Sequence, residues 1–418
     1  MKILAVETSC DETAVAIVDA RGKLESATGP RFFVCGNALI SQIDIHKEFG
    51  GVFPAVAKRE HTKNLVPLLK KALKDARMFS LRNRVRHDIL QSCSPQLIDI
   101  LSREPILLEQ VLQVLPSMKK PPVDAIAVTF GPGLEPALWV GINFARALSL
   151  IWELPLIPVN HMHGHIAAGL FKISATRRSR PQKTAHNHIA FPVLALLISG
   201  GHTELVLMQD WKSFTVVGET RDDAAGEAFD KVARMLGLPY PGGPQISALA
   251  REAREKKLPV EKYLKPLPRP MMHSDNLDFS FSGLKTSVLY SLRDIPKLTN
   301  AHTLAYSREL EDAIADVLSA KVKKAFEIYH PKTFVVGGGV SANAHIRATL
   351  AKLCAETNGA TEIRVPEKEL ATDNAIMIGM AAYIVLSNNI NLLTKKPDIV
   401  ALGNVRLNTL EPVQSLAA

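Results

Sequence analysis

The sequence predicts an α/β protein made of two domains with the same plan. A β-hairpin is predicted at residues 2–19, where two apolar runs flank a polar turn at 8–13. A second hairpin of this plan is predicted at 193–208, around a Ser-Gly-Gly turn at 199–201. The chain has 418 residues, more than one hydrophobic core usually holds. These observations together predict a duplicated α/β domain with a phosphate-bearing ligand between the copies.

Strand and helix patterns alternate through the first half. After a Gly-Gly turn at 50–51, an amphipathic helix is predicted, with the apolar stripe Leu65, Leu68, Leu69 and Leu73. Residues 123–128 are predicted as a buried strand, 129–134 as a glycine loop and 137–152 as a helix. The strand that follows, at 154–159, leads directly into a cluster of histidines.

Residues 78–121 carry no chemical motif and are interpreted as an insertion into the first domain. They are basic at both ends and apolar at helical spacing between, at Leu97, Ile98, Leu101, Leu107, Leu108, Val111 and Leu112. We therefore expect a small helical excursion on the surface of that domain.

Three histidines stand together at 161, 163 and 165. If a helix begins at His161, then His161 and His165 are four residues apart and project from one face, as two ligands of one metal ion must. His163 points to the other side. The alternative is a pair of hydrogen-bonded surface histidines. Because Met162 follows the first histidine, the metalloprotease motif H-E-x-x-H is absent from the sequence.

The turn of the first hairpin is rich in oxygen ligands. Thr8, Ser9, Asp11, Glu12 and Thr13 supply the hydroxyls and carboxylates that a phosphate and its divalent metal would meet. A plain polar hairpin turn is the alternative interpretation.

Glycine turns in the second half suggest a nucleotide site. The Ser-Gly-Gly turn at 199–201 lets backbone N–H groups point at an anion. Asp230 offers an acceptor for ribose hydroxyls, and the glycines at 242–243 allow the backbone to approach a ligand. The triglycine at 337–339 precedes a helix and favours a nucleotide at the helix N-terminus, or only the packing of helix on strand.

Composition and charge limit the class of protein. With 47% hydrophobic and 22% charged residues and no apolar run of transmembrane length, the sequence predicts a soluble cytoplasmic protein with no membrane contact and no signal peptide. Four scattered cysteines are expected to be thiols. The net charge of +9 suits a polyanionic partner such as RNA. A basic stretch, Lys172, Arg177, Arg178, Arg180 and Lys183, is either part of such a surface or a solvated loop.

The motifs as a set resemble the universal family of transferases that form threonylcarbamoyladenosine in tRNA, called TsaD in bacteria and once described as O-sialoglycoprotein endopeptidases. The resemblance covers nearly the whole chain. The matching residues are 7–13, 41–46, 50–54, 131–133, 160–165, 199–203, 227–231, 241–244, 279–285, 338–343 and 372–374.

The resemblance implies an actin-like, Hsp70-like and sugar-kinase-like (ASKHA) fold, with the ligand in a cleft between two α/β domains. It places the first domain at 1–165 with the insertion 78–121, and the second at 190–370. A helix at 371–390 then returns to the first domain, and 391–418 form a tail. Thr372 and Asp373 are the predicted N-cap candidates of that helix.

The resemblance also implies site residues. His161, His165 and Asp373 would hold one divalent metal ion, usually iron, with zinc as the alternative. Leu197, Ile198, Ser199, Gly200, Gly201, Asp230, Gly243 and Asn343 would bind threonylcarbamoyl-AMP, the glycine backbone near its phosphate and the later residues around ribose and adenine. Asp11 and Glu12 are the candidates for catalysis.

The implied reaction moves a threonylcarbamoyl group from its adenylate to N6 of adenosine 37, directly 3′ of the anticodon, in tRNAs that read codons beginning with A. AMP leaves. The implied partners are tRNA, a paralogous TsaB-type subunit and a TsaE-type ATPase. Two other functions are kept as alternatives, a non-catalytic nucleotide-binding scaffold and an actin-fold ATPase or kinase.

The chain departs from the family pattern at three places. His163 replaces the glutamate usual in bacterial relatives, Phe130 stands where an arginine is common, and the insertion 78–121 is foreign to compact members. His163 and Phe130 are expected to alter details of the site rather than the reaction. The insertion is expected to alter contacts with partners.

Overall fold

The computed structural model describes residues 1–82, 87–174, 187–357, 359–394 and 397–407, with the backbone alone over 87–92. The described residues form two compact units. Unit 1 comprises Met1–Asp44, Val52–His188 and Asp373–Ala418, and unit 2 comprises Ile45–Gly51 and Ile189–Thr372. Relative to the domains expected from the sequence, residues 45–51 belong to the second unit and the described residues beyond 390 belong to the first.

Unit 1 contains a five-stranded sheet. Its strands are β1 (Lys2–Glu7), β2 (Glu12–Arg21), β3 (Arg31–Ser41), β4 (Ala125–Gly131) and β5 (Leu156–Asn160), in the order β3-β2-β1-β4-β5. β2 is antiparallel to both β1 and β3, whereas β4 is parallel to β1 and to β5. The near-continuous apolar runs of β1 and β4 suit strands that are covered on both faces. The carboxyl ends of β1, β4 and β5 therefore lie side by side at one end of the sheet.

Unit 2 repeats this topology. Its strands are β6 (Val193–Ile198), β7 (Thr203–Met208), β8 (Phe214–Glu219), β9 (Thr333–Gly337) and β10 (Glu362–Arg364), in the order β10-β9-β6-β7-β8. β7 is antiparallel to β6 and β8, and β9 is parallel to β6 and β10. Two sheets of the same order and direction confirm the predicted duplicated α/β fold of the actin-like class.

Helices cover both sheets. Those before the second sheet are α1 (Ile43–His46), α2 (Pro54–Asp75), α3 (His87–Leu101), α4 (Pro105–Val114), α5 (Glu135–Trp152) and α6 (His161–Leu170). The helices that follow β8 in the chain are α7 (Ala225–Met235), α8 (Gly242–Glu255), α9 (Ser282–Arg293), α10 (Asn300–Tyr329), α11 (Ala344–Ala355) and α12 (Ala375–Asn388). The predicted leucine stripe of α2 is buried. Across the described part of the chain, each helix falls short of the length and apolar character that spanning a bilayer requires.

The segment 78–121 is part of the core of unit 1. Its helices α3 and α4 bury Leu97, Leu101, Leu107 and Val111 in that core, and the residues after α4 bury Leu115 and Met118 there. Glu104, between the two helices, is buried and accepts a hydrogen bond from Asn143 Nδ2 of α5 at 3.1 Å. The prediction of a surface excursion is therefore wrong, because an apolar stripe at helical spacing does not reveal which partner covers it.

Helix α12 packs closely on the rest of unit 1, and two glycines make room for it. A Cβ at Gly379 would stand 2.8 Å from Val18 Cγ2 of β2. A Cβ at Gly164 of α6 would stand 3.0 Å from Met377 Cγ and from Ile378 Cδ1. These approaches fix α12 beside β2 and α6, and they fix the residues that immediately precede α12.

We expect Gly379→Ala to lower the free energy of unfolding by about 1–3 kcal/mol, because the added Cβ overpacks a stiff β-branched neighbour. Thermal denaturation measures the loss. Gly283→Ala, in the first turn of α9, is the matched control, since its Cβ would meet only Pro270 Cγ at 3.4 Å, an ordinary contact. Equal Tm values for the Gly379→Ala variant and the wild type would contradict the close packing of α12.

Candidate functional site

The two histidines lie in the first two turns of helix α6. The helix starts at His161, directly after β5, and Asn160 caps it by accepting a hydrogen bond from the backbone N–H of Met162 at 2.9 Å. His161 and His165 therefore project from one face, with their ring centroids 4.7 Å apart. Both are buried, at 6% and 1% exposure, which excludes the alternative of a surface histidine pair.

Asp373 meets both imidazoles. Its Oδ1 lies 3.3 Å from His161 Nε2 and 3.3 Å from His165 Nε2. One ligand atom from each of the three residues lies within 4.8 Å of the others. The structure thus brings together the three residues that the sequence analysis assigned to a metal, across more than 200 positions of chain.

The carboxylate of Asp373 is available because another residue caps α12. Asn374 is the N-cap, and its Oδ1 accepts from the backbone N–H of Met377 at 2.9 Å. The prediction of Thr372 or Asp373 as the cap is wrong. Three consecutive residues here are of capping type, and Asn374 is the one whose side chain reaches the N3 backbone N–H.

The charges of the three groups are strongly linked. Burial alone would raise the pKa of Asp373, but the charge of His161 and the close contacts with both imidazoles outweigh it and lower this pKa. Burial is also the largest effect on the histidines. It lowers the pKa of His165, whereas for His161 the charges of Asp373 and Glu7 outweigh it and raise the pKa. At neutral pH Asp373 is an anion and His165 is a neutral imidazole.

The donor set fits a transition-metal ion. His165 Nε2 is buried and, within the described residues, has no hydrogen-bond partner of good geometry. A lone pair of this kind, beside a second imidazole nitrogen and a carboxylate oxygen, forms the two-histidine, one-carboxylate set used for iron and related metals. Such a set leaves coordination positions open for a ligand.

His163 lies apart from this group. Its Nε2 donates a hydrogen bond to the carbonyl oxygen of Leu407 at 3.0 Å. Burial lowers the pKa of His163 to about 4, so the ring is neutral at physiological pH. The histidine that replaces the usual glutamate therefore tethers the chain near Leu407, on the other side of α6.

The two candidate catalytic carboxylates lie at the start of β2. Asp11 is buried, and Glu12 accepts a hydrogen bond from Ser41 Oγ at 3.3 Å. Burial, followed by the charges of Asp373 and Asp11, raises the pKa of Glu12 to about 10. The structure therefore brings Glu12 close enough to both Asp11 and Asp373 for their charges to interact.

The glycine turn of unit 2 is open on its outer side. Leu197 and Ile198 are buried within β6, and the turn is closed by the backbone N–H of Ser199 donating to the carbonyl of His202 at 2.8 Å. A Cβ at Gly200 or at Gly201 would meet no atom within 4 Å. Packing within the described protein therefore does not require glycine at either position, and the outer side of the turn is open space.

A pocket of about 780 Å³ lies in unit 2. Gly200, Asp230, Gly243 and Asn343 line it, whereas Leu197, Ile198, Ser199 and Gly201 are not lining residues. The structure thus gathers four of the eight predicted substrate residues around one cavity, and the other four form the strand and turn that hold Gly200 in place.

Asp230 and Gly243 are linked through the start of α8. Asp230 Oδ1 accepts a hydrogen bond from the backbone N–H of Gly242 at 2.7 Å. A Cβ at Gly242 would stand 2.4 Å from Ala233 Cβ, so glycine is required there by packing. Asp230 therefore has a structural role in addition to any contact with a ligand.

The sequence analysis missed a network of charged residues beside Asn343. Asn343 Oδ1 caps α11, and its Nδ2 donates to Glu311 Oε1 at 2.6 Å. Arg254 donates to Glu311 and to Asp312. Burial would raise the pKa of Asp312, but hydrogen bonds from His345 and Arg254 hold it at about 2.

One signal for this network was present in the sequence. Glu311 lies within the apolar stripe of α10, beside Leu310, Ile314 and Leu318, and it is fully buried. A carboxylate in such a stripe requires a buried partner. The stripe does not show that the partner is Arg254.

The basic stretch proposed as a nucleic-acid surface falls mostly outside the described residues. Lys172 is described and exposed. Arg177, Arg178, Arg180 and Lys183 lie outside the described ranges, so this prediction is untested.

A model of the family described as "TsaD: tRNA N6-adenosine threonylcarbamoyltransferase" matches residues 33–80 and 105–380. The chain belongs to the TsaD family. Curated relatives with the same description include one from Staphylococcus carnosus, 38% identical over 384 residues, which are 91% of this chain and 90% of the relative. Another, from Thermosipho africanus, is 39% identical over 383 residues, 92% of this chain and 94% of the relative.

The TsaD family match also corrects the extent of the insertion. The gap in the match is 81–104, so 78–80 and 105–121 belong to sequence shared with the family. The match spans His161, His165, Asp230, Asn343 and Asp373.

Solved structures are more distant. HypF of T. kodakarensis has a TM-score of 0.45 and 13% identity, over 70% of this chain and 45% of that chain. A ROK family protein of Streptococcus pneumoniae has a TM-score of 0.37 and 13% identity, over 94% of this chain and 100% of that chain.

We expect Asn374→Ala to lower the free energy of unfolding by about 1 kcal/mol, because the N-cap of α12 loses its side-chain acceptor. Asn374→Ser is the matched control, since serine also caps helices. Chemical denaturation followed by circular dichroism measures both variants. If alanine and serine at this position gave the same midpoint, the assignment of the cap would be wrong.

Proposed function

We propose that this chain transfers a threonylcarbamoyl group from threonylcarbamoyl-AMP to N6 of adenosine 37 in tRNAs that read codons beginning with A, and releases AMP. The observation that carries the proposal is the meeting of His161, His165 and Asp373 in a member of the TsaD family. Neither a non-catalytic scaffold nor an actin-fold ATPase or kinase requires two buried histidines and an aspartate at one point.

His161, His165 and Asp373 would hold one divalent ion, with iron as the first choice and zinc as the second. Two imidazoles and a carboxylate match this preference, with His161 giving up a proton when the ion binds. Such an ion, when bound, supplies Lewis-acid polarisation of the carbonyl under attack. The protein's own part is to keep the three side chains buried and in a fixed orientation.

The pocket in unit 2 would hold the adenylate. Its volume of about 780 Å³ lies within the range of nucleotide-sized sites. The open backbone at Gly200 and Gly201 would face the phosphate, and Asp230, Gly243 and Asn343 would contact ribose and adenine. The hydrogen bond from Asn343 to Glu311 fixes the orientation of the Asn343 amide before a ligand arrives.

In the proposed reaction, N6 of the adenosine forms a bond to the carbamoyl carbon. The bond from that carbon to the phosphate oxygen breaks, AMP carries away the electron pair, and N6 loses a proton. Because an aromatic amine is a weak nucleophile, orientation of the two substrates supplies much of the rate. Asp11 and Glu12 are the side chains proposed to take part in proton transfer.

The proposed partners are tRNA, a paralogous TsaB-type subunit and a TsaE-type ATPase, and the proposed location is the cytoplasm. The family description supports tRNA as the substrate. The resemblance to bacterial members of the family supports the proposal of the TsaB-type and TsaE-type partners.

The function is tested by transfer of labelled threonine to tRNA, using the purified chain with an adenylate-forming enzyme and the two partners. Label in tRNA, dependent on this chain, supports the proposal. ATP hydrolysis by the purified chain alone, with no transfer in the complete mixture, would favour the ATPase or kinase instead.

We expect His161→Ala and Asp373→Ala to reduce the bound metal to background and to abolish transfer, because each removes one ligand. Elemental analysis of the purified protein measures the metal, and circular dichroism checks the fold. His163→Gln is the control, since that side chain faces Leu407 and should leave the metal content unchanged. Wild-type metal content in either alanine variant would remove that residue from the ligand set.

We expect Asp230→Asn to weaken AMP binding about tenfold, because a ligand hydroxyl loses a charged acceptor worth about 1.5 kcal/mol. Asparagine keeps an oxygen for the N–H of Gly242, so α8 should stay in place. Calorimetric titration with AMP measures the change, and Asp210→Asn, at an exposed turn of the same unit, is the control. Unchanged AMP affinity with Asp230→Asn would leave Asp230 with a structural role alone.

A further inference from the structure

We propose that Glu7 is a positioning residue for His161, which fixes the tautomer and ring orientation that leave Nε2 facing Asp373. The inference rests on the proposed metal site. It concerns a carboxylate that does not belong to the ligand set and lies behind it.

The sheet of unit 1 places the residues involved in a row. Glu7 ends β1, Thr129 lies on β4, and His161 directly follows β5. These three strands are parallel neighbours, and their register pairs residue 6 with residue 128 and residue 129 with residue 159. The three side chains therefore come from adjacent strand ends.

The carboxylate of Glu7 has no exposed surface. Its Oε1 accepts a hydrogen bond from the backbone N–H of Ser9 at 2.5 Å. Its Oε2 accepts from Thr129 Oγ1 at 2.6 Å and lies 3.2 Å from His161 Nδ1. Burying a carboxylate destabilises the folded state unless hydrogen-bond donors surround it. The N–H of Ser9, the hydroxyl of Thr129 and Nδ1 of His161 together form such a set of donors.

The direction of these hydrogen bonds decides the tautomer of His161. An ionised carboxylate only accepts, so it favours the imidazole that carries a hydrogen on Nδ1. The lone pair of the neutral ring then lies on Nε2, which is 3.3 Å from Asp373 Oδ1. Ser9 Oγ, 3.2 Å from His161 Nδ1, can share the same hydrogen as a second acceptor.

Carboxylates in this position behind a metal-bound histidine raise its basicity and fix its ring, and their loss costs about 10–100-fold in metal affinity. A purely structural role for Glu7, tying Ser9 to Thr129, is the competing explanation. It predicts lower stability without a change in the tautomer of His161.

Glu7→Gln separates the two explanations. The amide replaces one of the two acceptor oxygens with an NH₂ group, which must face either the N–H of Ser9 or the Nδ1 of His161. Facing Nδ1, it favours the opposite tautomer, with hydrogen on Nε2. Glu104→Gln is the matched control, because Glu104 is also buried in unit 1, accepts from Asn143 and lies 3.3 Å from Lys58 Nζ.

Two measurements on the full chain test the proposal. The first is the affinity of the metal-free protein for Co²⁺ and Zn²⁺, by competition with a chromogenic chelator. The second is the ¹⁵N spectrum of the histidine rings without metal, with His161→Gln used to assign the signals. It is recorded at alkaline pH, because the pKa of His161 is raised and the ring must be neutral to show a tautomer. We expect Glu7→Gln to bind metal about 10–100-fold more weakly and to lose the Nδ1–H tautomer of His161, and Glu104→Gln to match the wild type in both.

Equal metal affinity and an unchanged tautomer in Glu7→Gln would overturn the positioning role and leave the proposed metal site intact. A wild-type protein that binds neither metal would overturn both. If Glu7→Gln does not fold, Thr129→Val takes its place, since it keeps the carboxylate but removes the hydroxyl that holds Oε2. A several-fold loss of metal affinity in Thr129→Val supports the inference, and wild-type affinity overturns it.

Discussion

The site in unit 1 depends on the compensation of buried negative charge. Removing a carboxylate from water is costly unless donors or cations meet it. Glu7 and Asp373 are two such carboxylates, and His161 lies between them, with Nδ1 3.2 Å from Glu7 and Nε2 3.3 Å from Asp373. Both ring nitrogens are thus constrained, and His165 meets the same Asp373 oxygen one helical turn later. A shift of β1, of α6 or of the residues before α12 would leave a buried charge without its donor.

The two units use one topology for different chemistry. In unit 1, the carboxyl ends of the parallel strands carry side chains that donate and accept. In unit 2, the ends of β6 and β9 lead into glycine turns, at 200–201 and 337–339. Gly338, after β9, has a φ of 86°, and a Cβ there would stand 2.4 Å from the carbonyl oxygen of Ile198. The fold provides positions at the strand ends, and the residues placed there decide what can be bound.

The sequence predicted the features of the fold that depend on residues close together in the chain. The two hairpins, the stripe of α2 and the helix beginning at His161 all follow from local periodicity and capping. Sequence reasoning was weaker where distant parts meet. The stripe of 78–121 did not reveal that it packs into the core. Of the residues before α12, Thr372 and Asp373 were predicted as caps, and the cap is Asn374. Glu7 and His161 are 154 positions apart, and no local pattern connects them.

The return of the chain to unit 1 at Asp373 has a consequence for biosynthesis. On the ribosome, His161 and His165 emerge roughly 200 residues before Asp373, an interval of about 10–40 s at 5–20 residues per second. During that time unit 1 has its sheet but lacks α12, so the apolar face that α12 covers is open to solvent or chaperones. Asp373, the proposed third ligand, becomes available only after all of unit 2 has been synthesised. With the proposed ligand set, metal loading would be restricted to chains whose translation has passed unit 2, and truncated products would lack a complete site.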